Sequence, residues 1–183
     1  MSRRGVFLDR DGVINRAVVR GNKPFPPSES ELEILPGVLE ALVQLKAAGF
    51  VLVVVTNQPD VARGSTDRQT VEAINARLTE RLPLDEIRVC YHDTADACDC
   101  RKPEPGLLFS AARDWDVVLS MSFMVGDRWR DVEAGRRAGC TTLFIDYGYD
   151  EPQPQACDYR VKSLAEAAQI ILSLPTIQSR AVQ

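Results

Sequence analysis

Apolar residues gather in five short runs along the chain, Gly5–Leu8, Phe50–Thr56, Ile87–Tyr91, Ser122–Val125 and Thr141–Ile145, each of a length that reads as a buried strand. Between and after them the apolar positions recur at helical spacing. Pro36-Gly37 opens a segment with Val38, Leu39, Leu42, Val43 and Leu45 on that period, closed by Gly49. Further helices are predicted over Asp67–Leu82, Pro105–Trp115 and Trp129–Ala138, the last ended by Gly139. Ser163 with Glu166 predicts a capping box opening a final helix through Leu172. This alternation predicts an α/β fold, doubly wound, with a parallel sheet. The stretch Arg16–Pro27 shows no period and reads as a long loop or flap directly after the first strand. With no repeat or second periodic block, one domain over 1–175 is expected. The polar residues 176–183 are expected to form a frayed tail.

The 183 residues are enough for one buried core without disulfides. A net charge of −4 argues against nucleic acid or an anionic membrane as partner. The apolar start is too short for a signal sequence or a span, so a cytoplasmic protein, acting as a monomer on a small molecule, is expected. The cysteines change the picture more. Cys90, His92, Cys98 and Cys100 form Cys-x-His and Cys-x-Cys pairs five residues apart, and His92 is the only histidine. Three thiolates and an imidazole make a full tetrahedral set for Zn2+ with no open position, hence a structural site ordering a loop poor in apolar residues. Arg101 and Lys102 follow the last ligand, so the metal is expected to set their geometry.

Candidate chemistry lies at the strand ends. The first run continues Leu8-Asp9-Arg10-Asp11-Gly12, the second ends Thr56-Asn57, and the fourth leads to Gly126-Asp127 with Asp131 a helical turn later. In an open parallel sheet, ligands bind outside the carboxyl ends of the strands. Taken alone, Asp-x-Asp is equally compatible with a surface turn. Together with Thr56, Asp127 and Lys102, it forms a rim of carboxylates, a hydroxyl and a cation suited to a hard metal and a phosphoryl group.

Asp9-Arg10-Asp11-Gly12-Val13-Ile14-Asn15, then Val55-Thr56-Asn57-Gln58, Arg101-Lys102-Pro103, and Gly126-Asp127-x-x-x-Asp131 resemble the four ordered motifs of the haloacid dehalogenase superfamily. The resemblance implies a Rossmann-like core without a separate cap domain and a phosphatase activity. It makes Asp9 the nucleophile that becomes an aspartyl phosphate and Asp11 the acid and base. Thr56 and Lys102 would hold the phosphoryl oxygens. Mg2+ would sit between Asp9, the backbone carbonyl of Asp11, and Asp127. Asp131 would either approach the metal or orient donors around it.

Within the superfamily the zinc loop is similar to that of heptose 1,7-bisphosphate 7-phosphatases and of histidinol-phosphate phosphatases. Val61-Ala62-Arg63-Gly64 and Arg101-Lys102-Pro103-Glu104-Pro105-Gly106 favour the heptose branch. That resemblance implies a sugar bisphosphate substrate, with Asn57, Arg63, Arg101 and Arg128 as binding residues, since guanidinium groups take phosphate in a bidentate manner. Histidinol phosphate, which carries an amine, fits that many arginines less well. Pro59-Asp60 stands where the branch usually has Ser-Gly, and Asp60 has no role at this level of reading. Two other classes compete. A signalling receiver domain would place its acceptor after a middle strand and has no use for Asp11. An idle zinc-bearing binding module would not need Asp9, Asp11, Lys102 and Asp127 together. Trp115 and Phe109, on one helical period, are expected in the core.

Overall fold

A computed structural model describes residues 3–175; the expected tail over 176–183 lies outside the described residues. The elements in chain order are β1 (Gly5–Leu8), β2 (Val18–Arg20), β3 (Lys23–Phe25), α1 (Val38–Ala47), β4 (Val51–Asn57), α2 (Arg68–Arg81), β5 (Glu86–Cys90), α3 (Gly106–Trp115), β6 (Phe123–Gly126), α4 (Trp129–Ala138), β7 (Thr141–Ile145), β8 (Tyr159–Val161) and α5 (Leu164–Ser173). Six strands form one sheet in the order β5-β4-β1-β6-β7-β8. Every pairing in that sheet is parallel.

The order follows from right-handed crossovers in two directions. The chain leaves β1 for β4 and β5 on one side, then crosses to β6, β7 and β8 on the other. β1 is therefore the strand beside which the winding reverses, where such sheets bind ligands. The register aligns the strand ends: Leu8 pairs with Val54 and with Val125. The next residues of the three strands consequently emerge on one rim.

Alternate residues of each strand serve two layers. Val6, Leu8, Leu52, Val54, Phe123 and Val125 pack with Leu42 and Leu45 of α1 and Ala168 and Ile171 of α5. Phe7, Val51, Val53, Val55 and Met124 pack with Leu108 and Ala111 of α3 and Ala134 and Ala138 of α4. On α4 the backbone approaches β6 so closely that a Cβ at Gly135 would lie 2.6 Å from that of Met124. Asp67 caps α2 by accepting from the Thr70 N–H at 2.7 Å.

Four differences from the sequence reading have physical reasons. Arg16–Pro27 contains an antiparallel hairpin, β2 with β3, turned by Gly21 and Asn22, both at positive φ. Its three-residue strands and Pro24 conceal it from a periodicity argument. β8 is equally short and was not expected. Only half the capping box forms on α5: Ser163 accepts from the Glu166 N–H, while the Glu166 carboxylate reaches Lys162 N–H instead. Finally, Phe109 is 48% exposed, as α3 turns Leu108 and Ala111 inward instead.

Candidate active site

Asp9 is the first residue past β1 and is held by its N–H donating to the Val125 carbonyl at 2.9 Å. Its carboxylate is buried and accepts from Lys102 Nζ at 2.6 Å. Lys102 arrives from the far side of the Cys90–Cys100 loop, and its ammonium also donates to the Val55 carbonyl and to Asp131, each at 2.7 Å. Burial alone would depress that ammonium's pKa, but Asp131 and Asp9 more than offset it and hold it above its ordinary value.

Asp127, one residue past β6, is fully enclosed, and both of its carboxylate oxygens lack a hydrogen-bond partner. Carboxylate oxygens of Asp9, Asp127 and Asp131 all lie within 4.8 Å of one another. Burial, opposed by Lys102 and reinforced by Asp131 and Asp11, pushes Asp9 up to about 6. Burial and the Asp9 and Asp131 charges push Asp127 well above the usual carboxylate range. Three carboxylates against one ammonium leave an excess of negative charge in a dry place, and orphaned oxygens in such a setting fit a hard divalent cation. Gly12, at φ +91°, makes room for this: a Cβ there would overlap the Asp127 carboxylate. Asp131, whose part the sequence left open, splits its carboxylate between Lys102 and the Arg128 N–H that begins α4.

Asp11 projects from the same turn into a different setting. It accepts from Arg10 at 2.9 and 3.1 Å, from Asn15 at 2.9 Å and from Gln58 at 2.9 Å. Burial would raise its pKa, but the Arg10 charge and these hydrogen bonds outweigh burial and hold it low. Arg10 is fully enclosed, also donating to Asn75 at 3.0 Å. Gln58 further donates to the Thr56 hydroxyl at 3.0 Å. Asn57 lines the cavity, but both ends of its amide bond the Lys102 backbone, donating to its carbonyl at 2.9 Å and accepting from its N–H at 3.0 Å.

The predicted zinc ligands meet at the end of β5. Cys90 Sγ lies 3.7 Å from Cys98 Sγ and 2.9 Å from Cys100 Sγ, and Cys98 and Cys100 are 3.4 Å apart. His92 Nδ1 stands 3.3 Å from Cys100 Sγ and 3.7 Å from Cys90 Sγ. Sulfurs about 2.3 Å from a tetrahedral zinc stand roughly 3.8 Å apart, so this donor set fits the ion with a slight expansion. The loop is tied to α3 by Gly106 N–H donating to the Asp99 carbonyl at 2.9 Å.

Above the carboxylates opens a cavity of about 270 Å³, lined by Asp9, Thr56 and Lys102 at its base and by Lys23 and Phe25 of the hairpin. Arg63, Arg101, Arg128 and Arg130 line it as well. Arg63 grips Asp93 with two bonds of 2.7 Å and reaches Asp60 at 3.4 Å, which gives Asp60 a partner. Arg128 holds Glu151 in the same forked manner. Arg10, Gln58, Asp93, Arg130, Glu151 and the hairpin residues were not singled out from the sequence. Arg10 carried the clearest signal, a cation set between two aspartates directly after an apolar strand.

A buried carboxylate with a lysine upon it, beside acids placed to hold a cation, has the chemistry that phosphoryl transfer requires. A HAD-hydrolase-like family model matches residues 99–167. A D-glycero-beta-D-manno-heptose-1,7-bisphosphate 7-phosphatase from Pasteurella multocida is 36% identical over 186 residues, covering 94% of this chain and 98% of the relative. The protein of that name from Bordetella bronchiseptica is 38% identical, over 78% of this chain and 80% of its own. The crystal structure of a D,D-heptose 1,7-bisphosphate phosphatase from B. bronchiseptica, complexed with magnesium and phosphate, superposes with a TM-score of 0.78 at 34% identity, covering 92% of this chain and 98% of that one. The chain belongs to the haloacid dehalogenase superfamily, in the branch represented by these phosphatases, and is a phosphoric monoester hydrolase.

Proposed function

We propose that this protein removes the 7-phosphate of D-glycero-D-manno-heptose 1,7-bisphosphate by way of a phosphorylated Asp9. The observation that carries the reading is Asp9 itself, buried at the end of the central strand with one oxygen on Lys102 at 2.6 Å. The names of the relatives and their coverage of nearly the whole chain support the substrate.

In the first half-reaction an Asp9 oxygen forms a bond to phosphorus as the bond to the sugar oxygen breaks, and Asp11 gives that oxygen a proton. In the second, Asp11 takes a proton from water, whose oxygen attacks phosphorus and releases inorganic phosphate and free Asp9. The Arg10, Asn15 and Gln58 bonds favour the proton-accepting form of Asp11. An arriving phosphate dianion raises its proton affinity for the first half. Lys102 and the Thr56 hydroxyl hold phosphoryl oxygens, and Asn57 fixes Lys102 by its backbone. Arg101 supplies positive potential for the second phosphate, and Arg63 and Arg128, each paired with an acid, shape the walls around it. Asp9, Asp127 and the Asp11 carbonyl would hold Mg2+, which supplies charge neutralisation between carboxylates and phosphate. Cys90, His92, Cys98 and Cys100 would hold structural Zn2+.

The test is phosphate release, with magnesium, from heptose 1,7-bisphosphate anomers and from histidinol phosphate. We expect the heptose bisphosphate to give the higher kcat/KM by at least about ten-fold. A preference for histidinol phosphate would overturn the substrate. Undiminished turnover by Asp9→Asn would overturn the mechanism.

A further inference from the structure

The four arginines of the cavity differ in what already occupies their donors. Arg63 spends its fork on Asp93 and a third N–H on Asp60. Arg128 spends its fork on Glu151. Arg101 gives one N–H to the His92 carbonyl at 3.2 Å and stands 3.8 Å from Asp93, so most of its edge is free. Arg130 makes no hydrogen bond or ion pair through its side chain among the described residues; its guanidinium lies over the Trp129 ring, 4.8 Å from the centroid. Stacking on an aromatic face fixes the plane of a guanidinium while leaving its N–H edge available.

Two further observations make Arg130 more than a solvated surface charge. It occupies the first turn of α4, the positive end of that helix, where acidic side chains are favoured and a cation is disfavoured. It also sits half-buried beside other cations: burial, then the Arg128 and Arg101 charges, lower its pKa and outweigh the Glu151 and Asp131 charges that raise it. Local structure thus opposes a cation here twice, and an anion bound in the cavity would relieve both effects.

We propose that Arg130 is a specificity-determining residue that, with Arg101, grips the non-reacting phosphate of the bisphosphate, while Arg63 and Arg128 are carboxylate-braced walls. This rests on the reading of the substrate given above. The free N–H edge of Arg130 meets the phosphate in a forked arrangement, and the Trp129 ring keeps it from swinging away. The family-level motifs do not call for this residue, which lies between Asp127 and Asp131 at a position the sequence reading passed over.

The test compares heptose 1,7-bisphosphate with heptose 7-phosphate for the wild type, Arg130→Gln, which keeps a stem on Trp129, and Arg130→Lys, which keeps the charge. The ratio of kcat/KM for bisphosphate over monophosphate is expected to fall about ten-fold or more in Arg130→Gln, mainly through KM, and to recover partly in Arg130→Lys. A ratio within about two-fold of wild type in both variants, with the wild-type preference intact, overturns the clamp alone. A wild type that does not prefer the bisphosphate overturns the substrate reading and the clamp with it.

Discussion

Lys102 shows how tightly single residues are bound into this site. It is 2% exposed and is the only cation bonded to Asp9 and Asp131 among the described residues. Removing it leaves two buried carboxylates without a counter-charge, and breaking a buried pair in this way costs about 3–5 kcal/mol. Lys102→Met is therefore expected to lower both activity and stability, and adding Asp131→Asn should recover part of the stability but not the activity. Urea unfolding of the single and double variants checks this; no recovery in the double variant would show that the two groups do not share one charge balance. Asn57→Ala is expected to act differently, loosening the Lys102 backbone without removing a charge. A fall in kcat of about ten-fold, with little change in KM, would separate positioning from substrate contact.

At the scale of elements, the Cys90–Cys100 loop is the part whose order depends on a bound ion. The loop contributes few apolar side chains to the core beyond Cys90, Cys98 and Cys100, so binding of the proposed zinc and ordering of the loop are expected to be one process. Stripping zinc with a strong chelator should raise amide exchange across 91–101 and reduce turnover at least about ten-fold, because Lys102 and Arg101 lie directly beyond the last ligand. Helical circular dichroism should scarcely change, since α3 and α4 pack on the sheet through Leu108, Ala111 and Ala134. A chelated enzyme of unaltered activity would contradict this coupling. The elements also show what was legible from the chain. Strands with buried apolar runs and helices of ten residues or more were readable within a residue or two at each end. The three-residue strands β2, β3 and β8 were not, because a period cannot be established over three positions. Phe109 was misread for a related reason: its helix has more apolar residues than its buried face can hold.

For the whole molecule, the carboxylate cluster couples folding to metal and proton. A carboxylate whose folded pKa is raised, as for Asp9 at about 6, loses its contribution to stability as pH rises from the unfolded value through the folded one. The metal-free protein is thus penalised at neutral pH, and a cation that binds only the folded state offsets the penalty. Magnesium at about 100 times its dissociation constant adds roughly 2.7 kcal/mol, a shift in Tm of about 5–11 °C for a chain of this size. The Tm gain from magnesium should be larger at pH 7 than at pH 5, where protons compete for Asp9. Equal gains at both values would mean that these carboxylates do not hold the ion.

The chain by itself determined the alternation of strand and helix, the clustering of Cys90, His92, Cys98 and Cys100, and the carboxylates, because periodicity and residue spacing are local properties that neighbours in sequence carry. Only the tertiary structure decided what each charge does, since charge balance depends on partners brought together across the sheet. Lys102 meets Asp9 from 93 residues away, Arg10 claims Asp11, and Glu151 occupies Arg128. Arg101, Arg128 and Arg130 look alike along the chain, and only the placement of the acids around them separates two largely free guanidinium groups from a braced one.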